Sequence, residues 1–112
     1  AYTGSDTYAQ NISLDKSLTK LIVNKLGIPT KRFHLIQTSL ALPRNLIFPL
    51  FLKPNGEGSS LGIGVKSIVR TYLEFKTQVT SLLQKFDSIL AEEFLEGEDL
   101  TLGVIGNYPN YE

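Results

Sequence analysis

The sequence contains no cysteine, and this absence excludes two common ways of stabilising a small domain. Without cysteine the chain cannot form a disulfide framework, and it cannot supply thiolate ligands to a structural zinc site. A cysteine-free sequence also fits a reducing compartment. We therefore expect a cytoplasmic protein.

An excess of one charge and a long apolar run are also absent. Lysine plus arginine is 11 and aspartate plus glutamate is 11, so the net charge is zero and gives no reason to expect nucleic acid. No stretch approaches the roughly 18 apolar residues that a transmembrane helix requires. Residues 1–6 lack the basic and apolar regions of a signal peptide. We predict neither a nucleic-acid partner nor a membrane partner.

The sequence does contain enough apolar residues for a core. Hydrophobic residues make up 42% of 112 residues, which suits one domain. The chain has no methionine, even at position 1, and it ends at Glu112 directly after an apolar run. We interpret it as a fragment of a longer protein.

The N-terminal part of the chain is predicted to be helical. Residues 5–25 have helical periodicity, in one or two pieces, and Ser13 is a plausible N-cap for a second piece. Gly27 can adopt the left-handed conformation that ends a helix, and Pro29 prevents continuation. One apolar stripe runs along this segment: Leu14, Leu18, Leu21, Ile22 and Leu26.

The rest of the chain alternates between strands, loops and one long helix. The helix is predicted over 71–86, where apolar residues recur at helical spacing. Residues 38–48, 55–64 and 95–98 are rich in turn-forming residues and are predicted to be irregular. Strands are predicted over 33–37, 50–52, 65–69, 88–94 and 99–105. The fold class is therefore predicted to be α+β.

The loop that contains Gly56, Gly58 and Gly62 is a candidate anion-binding segment. Its glycines let backbone N–H groups turn inward, and such a nest of donors binds anionic oxygens. The hydroxyls of Ser59 and Ser60 add further donors. Taken alone, however, a loop of this composition is more often a flexible linker.

Two lysines could bring positive charge to this loop. Lys53 follows a buried strand and precedes the loop, so it could reach phosphates held there. The alternative is a strand-end lysine that extends into water. Lys16 lies on the N-terminal helix, where a solvated lysine is the commoner case. The order of lysine and glycines differs from the Walker A motif, which places its lysine after the glycines.

Adjacent carboxylates at Glu92 and Glu93 lie on a predicted strand. Side chains alternate along a strand, so the two carboxylates point to opposite faces and one of them should face a cleft. A carboxylate in a cleft can accept a hydrogen bond from an exocyclic amine. The alternative is a solvated, charged edge strand, which is the commoner case for such a segment taken alone.

In their order, these segments resemble the ATP-grasp superfamily and, within it, the D-alanine–D-alanine ligase family. The resemblance runs from residue 2 to about residue 107. The EGSS loop is typical of this ligase group, whereas the lysines and the acidic strand are shared more widely. Five segments carry the resemblance: 2–5 (YTGS), 14–20 (LDKSLTK), 27–30 (GIPT), 53–62 (KPNGEGSSLG) and 92–99 (EEFLEGED).

The resemblance implies an ATP-grasp-like subdomain, with an antiparallel sheet and a packed helix after an N-terminal helix. It implies that residues 1–30 form a helical connector. Residues 31–112 would then form the N-terminal ATP-grasp lobe with the start of an incomplete second lobe.

The resemblance also implies roles for individual residues. Lys16 and Lys53 would contact ATP phosphates, with Lys53 also near the adenine. Ser60 would hold the β- and γ-phosphates with the backbone of the loop, which includes Glu57 and Gly58. Ser59 would face the amino-acid substrates, so the two serines are the catalytic candidates.

The acidic strand is expected to bind the nucleoside. Glu92 would accept a hydrogen bond from the adenine amino group, and Glu93, Phe94 and Leu95 would complete purine recognition, chiefly through the backbone of Leu95. Asp99 would bind the ribose hydroxyls. The family has glutamate at this position, and the aspartate of this chain is shorter by one methylene.

The implied reaction of the full-length enzyme has two steps. ATP phosphorylates the carboxylate of one D-alanine, and the amine of a second D-alanine then attacks the acyl phosphate. The family's Mg²⁺ ligands and transition-state arginine lie beyond position 112, so we predict no metal ligands here and an inactive isolated fragment. The resemblance is compatible with a homodimeric parent. The alternatives are an ATP-grasp ligase for another carboxylate and amine, and a non-catalytic nucleotide-binding module.

Overall fold

The computed structural model describes residues 3–107 and 109–112. Tyr2, the first residue of the YTGS segment, lies outside them. None of the helices in the described part is long and apolar enough to cross a membrane. Helices α1–α3 and strands β1–β6 follow in this chain order: α1 Thr7–Leu14, α2 Lys16–Lys25, β1 Phe33–Ile36, β2 Leu50–Pro54, β3 Ile68–Val69, α3 Tyr72–Leu82, β4 Ile89–Glu93, β5 Gly106–Asn107 and β6 Asn110–Tyr111.

The main sheet is antiparallel and has the strand order β1-β4-β2-β3. Strand β4 lies inside the sheet, where Leu90 is opposite Leu35 of β1 and Ala91 is opposite Leu52 of β2. Because β4 has a strand on each side, its backbone groups are paired and its first four residues are buried. Strands β5 and β6 form a separate two-stranded sheet.

The hydrophobic core lies between the sheet and α3. Phe75, Val79 and Leu82 follow each other at helical spacing and form the buried face of α3. Thr71 caps this helix by accepting a hydrogen bond from the backbone N–H of Glu74 at 3.2 Å. The fold class is therefore confirmed as α+β, with an antiparallel sheet, one packed helix and helices preceding them.

The N-terminal helices differ from the prediction at the second N-cap. Ser13 was the expected cap, but its hydroxyl donates to the carbonyl of Gln10. Asp15 caps α2 instead, because its carboxylate accepts from the backbone N–H of Leu18 at 3.0 Å. The predicted helix end is confirmed, since Gly27 has a φ of +81°.

Helix α2 presents a polar face to the sheet and an apolar face to solvent. Its one buried residue is Ser17, and Lys16 and Lys20 lie beside it on the same side. The apolar stripe identified in the sequence is exposed along its length: Leu14, Leu18, Leu21, Ile22 and Leu26.

Two strand predictions differ from the structure, one of them in part. Residues 65–69 form a short 3-10 helix over Val65–Ser67 before β3, because the Ser67 hydroxyl accepts from the backbone N–H of Gly64 while the Ser67 N–H donates to the Gly64 carbonyl. Residues 99–105 are exposed and irregular, and of their backbone only Ile105 is paired within the described residues, through two hydrogen bonds with Glu112 beside β5 and β6. The other apolar residues of this alternating segment have no neighbouring strand there.

Candidate nucleotide-binding site

The first turn of α2 is attached to the end of β2 through Asn55. The Asn55 side chain is buried, accepts from the backbone N–H of Ser17 at 2.8 Å and donates to the Asp15 carboxylate at 2.9 Å. The hydrogen bond from the Leu18 backbone, together with those from Asn55 and Ser17, holds the pKa of Asp15 below its ordinary value. This joint determines where the polar face of α2 meets the sheet.

Lys16 reaches from this joint into the start of the glycine-rich loop. Its Nζ donates to the carbonyls of Pro54 at 3.0 Å and Asn55 at 3.2 Å, and also to that of Glu57. Loss of solvation and the positive charge of Lys53 lower the pKa of Lys16. An anion bound between the two lysines would relieve this repulsion.

Glu92 lies between two lysines at the centre of the site. Its Oε1 accepts from Lys53 Nζ at 2.6 Å, and its Oε2 lies 2.9 Å from Lys20 Nζ. The side chains of Glu92, Lys53 and Lys20 are 4%, 20% and 14% exposed. We call these three residues the charge triad. It is formed by α2, β2 and β4 and carries a net charge of +1.

The carboxylate of the charge triad is held in its ionised form. Burial alone would raise the pKa of Glu92, but hydrogen bonds from Lys53 and Lys20 and their charges outweigh burial and lower it. At neutral pH Glu92 can therefore only accept hydrogen bonds. An ionised acceptor of this kind suits an amino group.

An open groove of about 620 Å³ lies over the charge triad. All three triad side chains line it, together with Leu95 and residues 29–31. This volume is within the range of small-molecule sites, and a few convergent charged groups are what such sites use to orient a ligand. The groove is the candidate binding site.

The glycine-rich loop lies next to Lys16 and is exposed. Ser59 and Ser60 have φ values of +53° and +59°, which residues with a side chain seldom adopt. Two turns shape the loop, with Leu61 N–H donating to the Gly58 carbonyl and Ile63 N–H donating to the Ser60 carbonyl. Strained backbone of this kind is concentrated at functional sites.

The structure brings some of the predicted site residues together and leaves others apart. Lys53, Glu92, Glu93 and Leu95 line the groove, and Asp99 is exposed and is not part of its lining.

The other predicted residues lie around it. Lys16 and Glu57 meet where the loop begins, since the Glu57 carbonyl accepts from Lys16. Gly58 follows, and a Cβ there would lie 3.9 Å from Leu14. The Phe94 ring stacks on Phe51 with centroids 6.5 Å apart.

Glu92 and Glu93 follow the predicted alternation along β4. Glu92 is buried, whereas Glu93 is partly exposed and lies 3.8 Å from the exposed Arg32. An exposed ion pair of this length contributes little to stability. Of the two glutamates on the acidic strand, Glu92 is therefore the candidate for binding a ligand.

Lys20 was not among the residues selected from the sequence. A signal was present, because Lys20 follows Lys16 by four positions on one helix and such residues share a face. Only the packing of α2 on the sheet shows that this face meets Glu92. Residues 3–107 and 109–112 contain no group of three or more His, Asp or Glu side chains that could hold a metal ion.

Comparison with known proteins agrees with this geometry. The family model described as the D-ala D-ala ligase C-terminus matches residues 22–111. The D-alanine–D-alanine ligase of Aquifex aeolicus is 40% identical in an alignment of 106 residues that covers 93% of this chain and 35% of the relative.

Solved structures agree as well. The crystal structure of D-alanine–D-alanine ligase from Helicobacter pylori matches 87% of this chain and 30% of its own with a TM-score of 0.70 and 32% identity. The ligase from Bacillus anthracis complexed with ATP matches 86% of this chain and 32% of its own with a TM-score of 0.73 and 25% identity. The chain spans about a third of the length of the curated relatives it matches. It belongs to the D-alanine–D-alanine ligase family and carries part of the C-terminal ATP-grasp region.

Proposed function

We propose that this chain supplies much of the ATP-binding site of a D-alanine–D-alanine ligase. One observation carries the proposal: the charge triad of Lys20, Lys53 and Glu92 lines an open groove next to Lys16 and the strained glycine-rich loop. The groove thus has a hydrogen-bond acceptor for a base and cations for phosphates. The ATP complex of the Bacillus anthracis relative supports the choice of nucleotide.

The adenine would bind against β4 and the residues that follow it. Glu92 is ionised and can accept a hydrogen bond from the exocyclic amino group, and the exposed Leu95 offers backbone groups at the same groove. Glu93 and Phe94 would shape this part of the site. Asp99 would have to move toward the groove to bind the ribose, because it does not line it here.

The phosphates would bind between the lysines and the loop. Lys53 is close enough to the groove to exchange Glu92 for a phosphate oxygen, and Lys16 lies at the start of the loop. The Ser60 hydroxyl and the loop backbone from Glu57 onward would add donors. Phosphoryl transfer needs such positioned cations and N–H groups, because negative charge is spread over the transferred oxygens.

In the full-length protein, this site would serve the formation of a peptide bond between two D-alanine molecules for peptidoglycan. An acyl phosphate would form on the first D-alanine and be attacked by the amine of the second, with Ser59 facing these substrates. Mg²⁺ would assist with ligands from outside this chain. We also propose that the full-length protein is a homodimer in the cytoplasm.

Calorimetric titration of the 112-residue chain with MgATP tests the nucleotide site. We expect saturable binding that Lys53→Ala and Ser60→Ala each weaken by about 10-fold or more, because a hydrogen bond to a charged group contributes about 1.5–3 kcal/mol. Lys85→Ala is the matched control, since Lys85 is exposed and lies outside the groove lining. Equal binding by all four proteins, or no binding by the unsubstituted chain, would contradict the proposed site.

A further inference from the structure

Lys20 has contacts that fix its ammonium group from several sides. Its Nζ lies 2.9 Å from Glu92 Oε2, donates to the carbonyl of Lys31 at 3.3 Å and lies 5.5 Å above the centroid of the Phe33 ring. The side chain is 14% exposed. Lys20 is therefore a fixed part of the groove lining, unlike a solvated lysine on a helix surface.

The two lysines of the charge triad use different oxygens of Glu92. Lys53 donates to Oε1 and Lys20 contacts Oε2, so each oxygen has its own cation. If Lys53 turns to a phosphate, as the proposed function requires, Oε1 loses its partner. A buried carboxylate without any partner would be strongly unfavourable. Lys20 can remain, because its other contacts are to Lys31 and Phe33 and not to the proposed phosphate site.

We infer that Lys20 is a positioning residue. It stays paired with Glu92 Oε2, and this allows Glu92 Oε1 to exchange its hydrogen bond from Lys53 for one from the amino group of the base. The inference rests on the proposed function. It assigns the preference for a purine with an exocyclic amine to the pair of Lys20 and Glu92. The other charges that act on or near Glu92 are that of Lys53 on β2, in direct contact, and that of Lys16 on α2, whose own pKa responds to the charge of Glu92.

Comparison of two nucleotides separates this role from a general effect on the groove. Adenosine triphosphate has an amino group where inosine triphosphate has a carbonyl oxygen, which a carboxylate acceptor disfavours. Lys20→Met keeps the length of the side chain and removes the charge. We expect this substitution to weaken ATP binding by about 10-fold or more and inosine triphosphate binding by much less, so that the ratio of the two affinities falls.

Two further variants complete the experiment. Lys20→Arg keeps the charge and should restore most of the ATP preference, whereas Lys25→Met, at the exposed end of the same helix, should leave both affinities unchanged. Circular dichroism checks that Lys20→Met is folded. If it is not, Lys20→Gln takes its place, with the same expected fall in the ratio.

The outcomes distinguish the two proposals. If Lys20→Met binds ATP like the unsubstituted chain, or loses both nucleotides equally, the role of Lys20 is overturned while the proposed ATP site stands. If the unsubstituted chain binds neither nucleotide, the proposed function is overturned and this inference with it.

Discussion

Gly62 shows how one residue determines the course of the glycine-rich loop. Its φ is +77°, and a Cβ at this position would lie 2.8 Å from Pro54 Cγ and 2.9 Å from Phe86 Cε2. Pro54 is buried at the end of β2, so it cannot move aside freely. The loop can therefore pack against Pro54 and Phe86 only if position 62 has no side chain.

Gly62→Ala should lower the free energy of unfolding by about 2–5 kcal/mol. Overpacking costs about 1–3 kcal/mol and a left-handed residue with a Cβ costs about 1–2 kcal/mol. Urea denaturation measures the change. Gly56→Ala is the control, because a Cβ on Gly56 would meet nothing within 4 Å and its φ is not positive. Equal stability of the two variants would contradict the packing described here.

Charged residues at the site are determined by their partners more than by their local sequence. Lys16 and Lys20 occupy one helix face, but Lys16 binds loop carbonyls whereas Lys20 pairs with Glu92. The alternation along β4 was sufficient to predict that one of two glutamates is buried. The identity of the partners could not be predicted, because Lys53 and Glu92 are 39 residues apart.

At the scale of elements, Asn55 is the joint between α2 and the sheet. Its backbone N–H donates to the Ser88 carbonyl, and its side chain binds Ser17 and Asp15 in α2 and its cap. Both polar groups of the Asn55 side-chain amide therefore attach the helix to the sheet. The position of Lys20 at the groove and of Lys16 at the start of the loop depends on this attachment.

Asn55→Ala should reduce the free energy of unfolding by about 1–3 kcal/mol, because it leaves the buried N–H of Ser17 without its acceptor. Chemical denaturation gives the stability. Native-state hydrogen exchange of Asn55→Ala should show a larger increase in exchange rate for α2 than for α3, relative to the unsubstituted chain. The reason is that the Asn55 side chain binds α2 and its cap and does not bind α3. Asn45→Ala, at an exposed position in the irregular segment, is the control. Unchanged exchange in α2 would show that other contacts hold the helix.

Elements with a strong local signal were predicted well, although α3 ends at Leu82 and not at residue 86 as predicted. The apolar spacing and the N-cap of α3 lie within its own sequence, and so does the glycine that ends the N-terminal helices. The segment 99–105 has an equally clear alternation, but a strand also needs a neighbour to pair with. The short 3-10 helix was missed because Ser67 binds the backbone of Gly64 in preference to extending the strand.

At the scale of the whole molecule, two carboxylates couple stability to pH. The pKa values of Glu92 and Asp15 both lie below their ordinary values, for which the unfolded chain has about 4.3 and 3.9. A group whose pKa is lower in the folded state stabilises the fold above its unfolded pKa. This stability is lost as the pH falls through the folded pKa.

We therefore expect the free energy of unfolding to be steady between about pH 7 and 5 and to fall below about pH 4.5. Glu92→Gln should be less stable at pH 7, since it leaves two partly buried lysines without an anion, and its stability should decline less on acidification. Glu96→Gln, at an exposed carboxylate, should follow the unsubstituted chain. Urea titrations at several pH values measure this, and parallel curves for Glu92→Gln and the unsubstituted chain would contradict it.

Local patterns and motifs were enough for the α+β class, the order of the helices, the buried face of β4 and the family. These features depend on spacing along the chain, which a single sequence displays. The domain division at residue 30 and the roles carried over from the family stay predictions. Only the tertiary structure determined that Lys20 pairs with Glu92, that Lys16 donates to the carbonyls at the start of the loop and that the apolar stripe faces solvent. These contacts join distant residues, and their geometry depends on how α2 packs on the sheet.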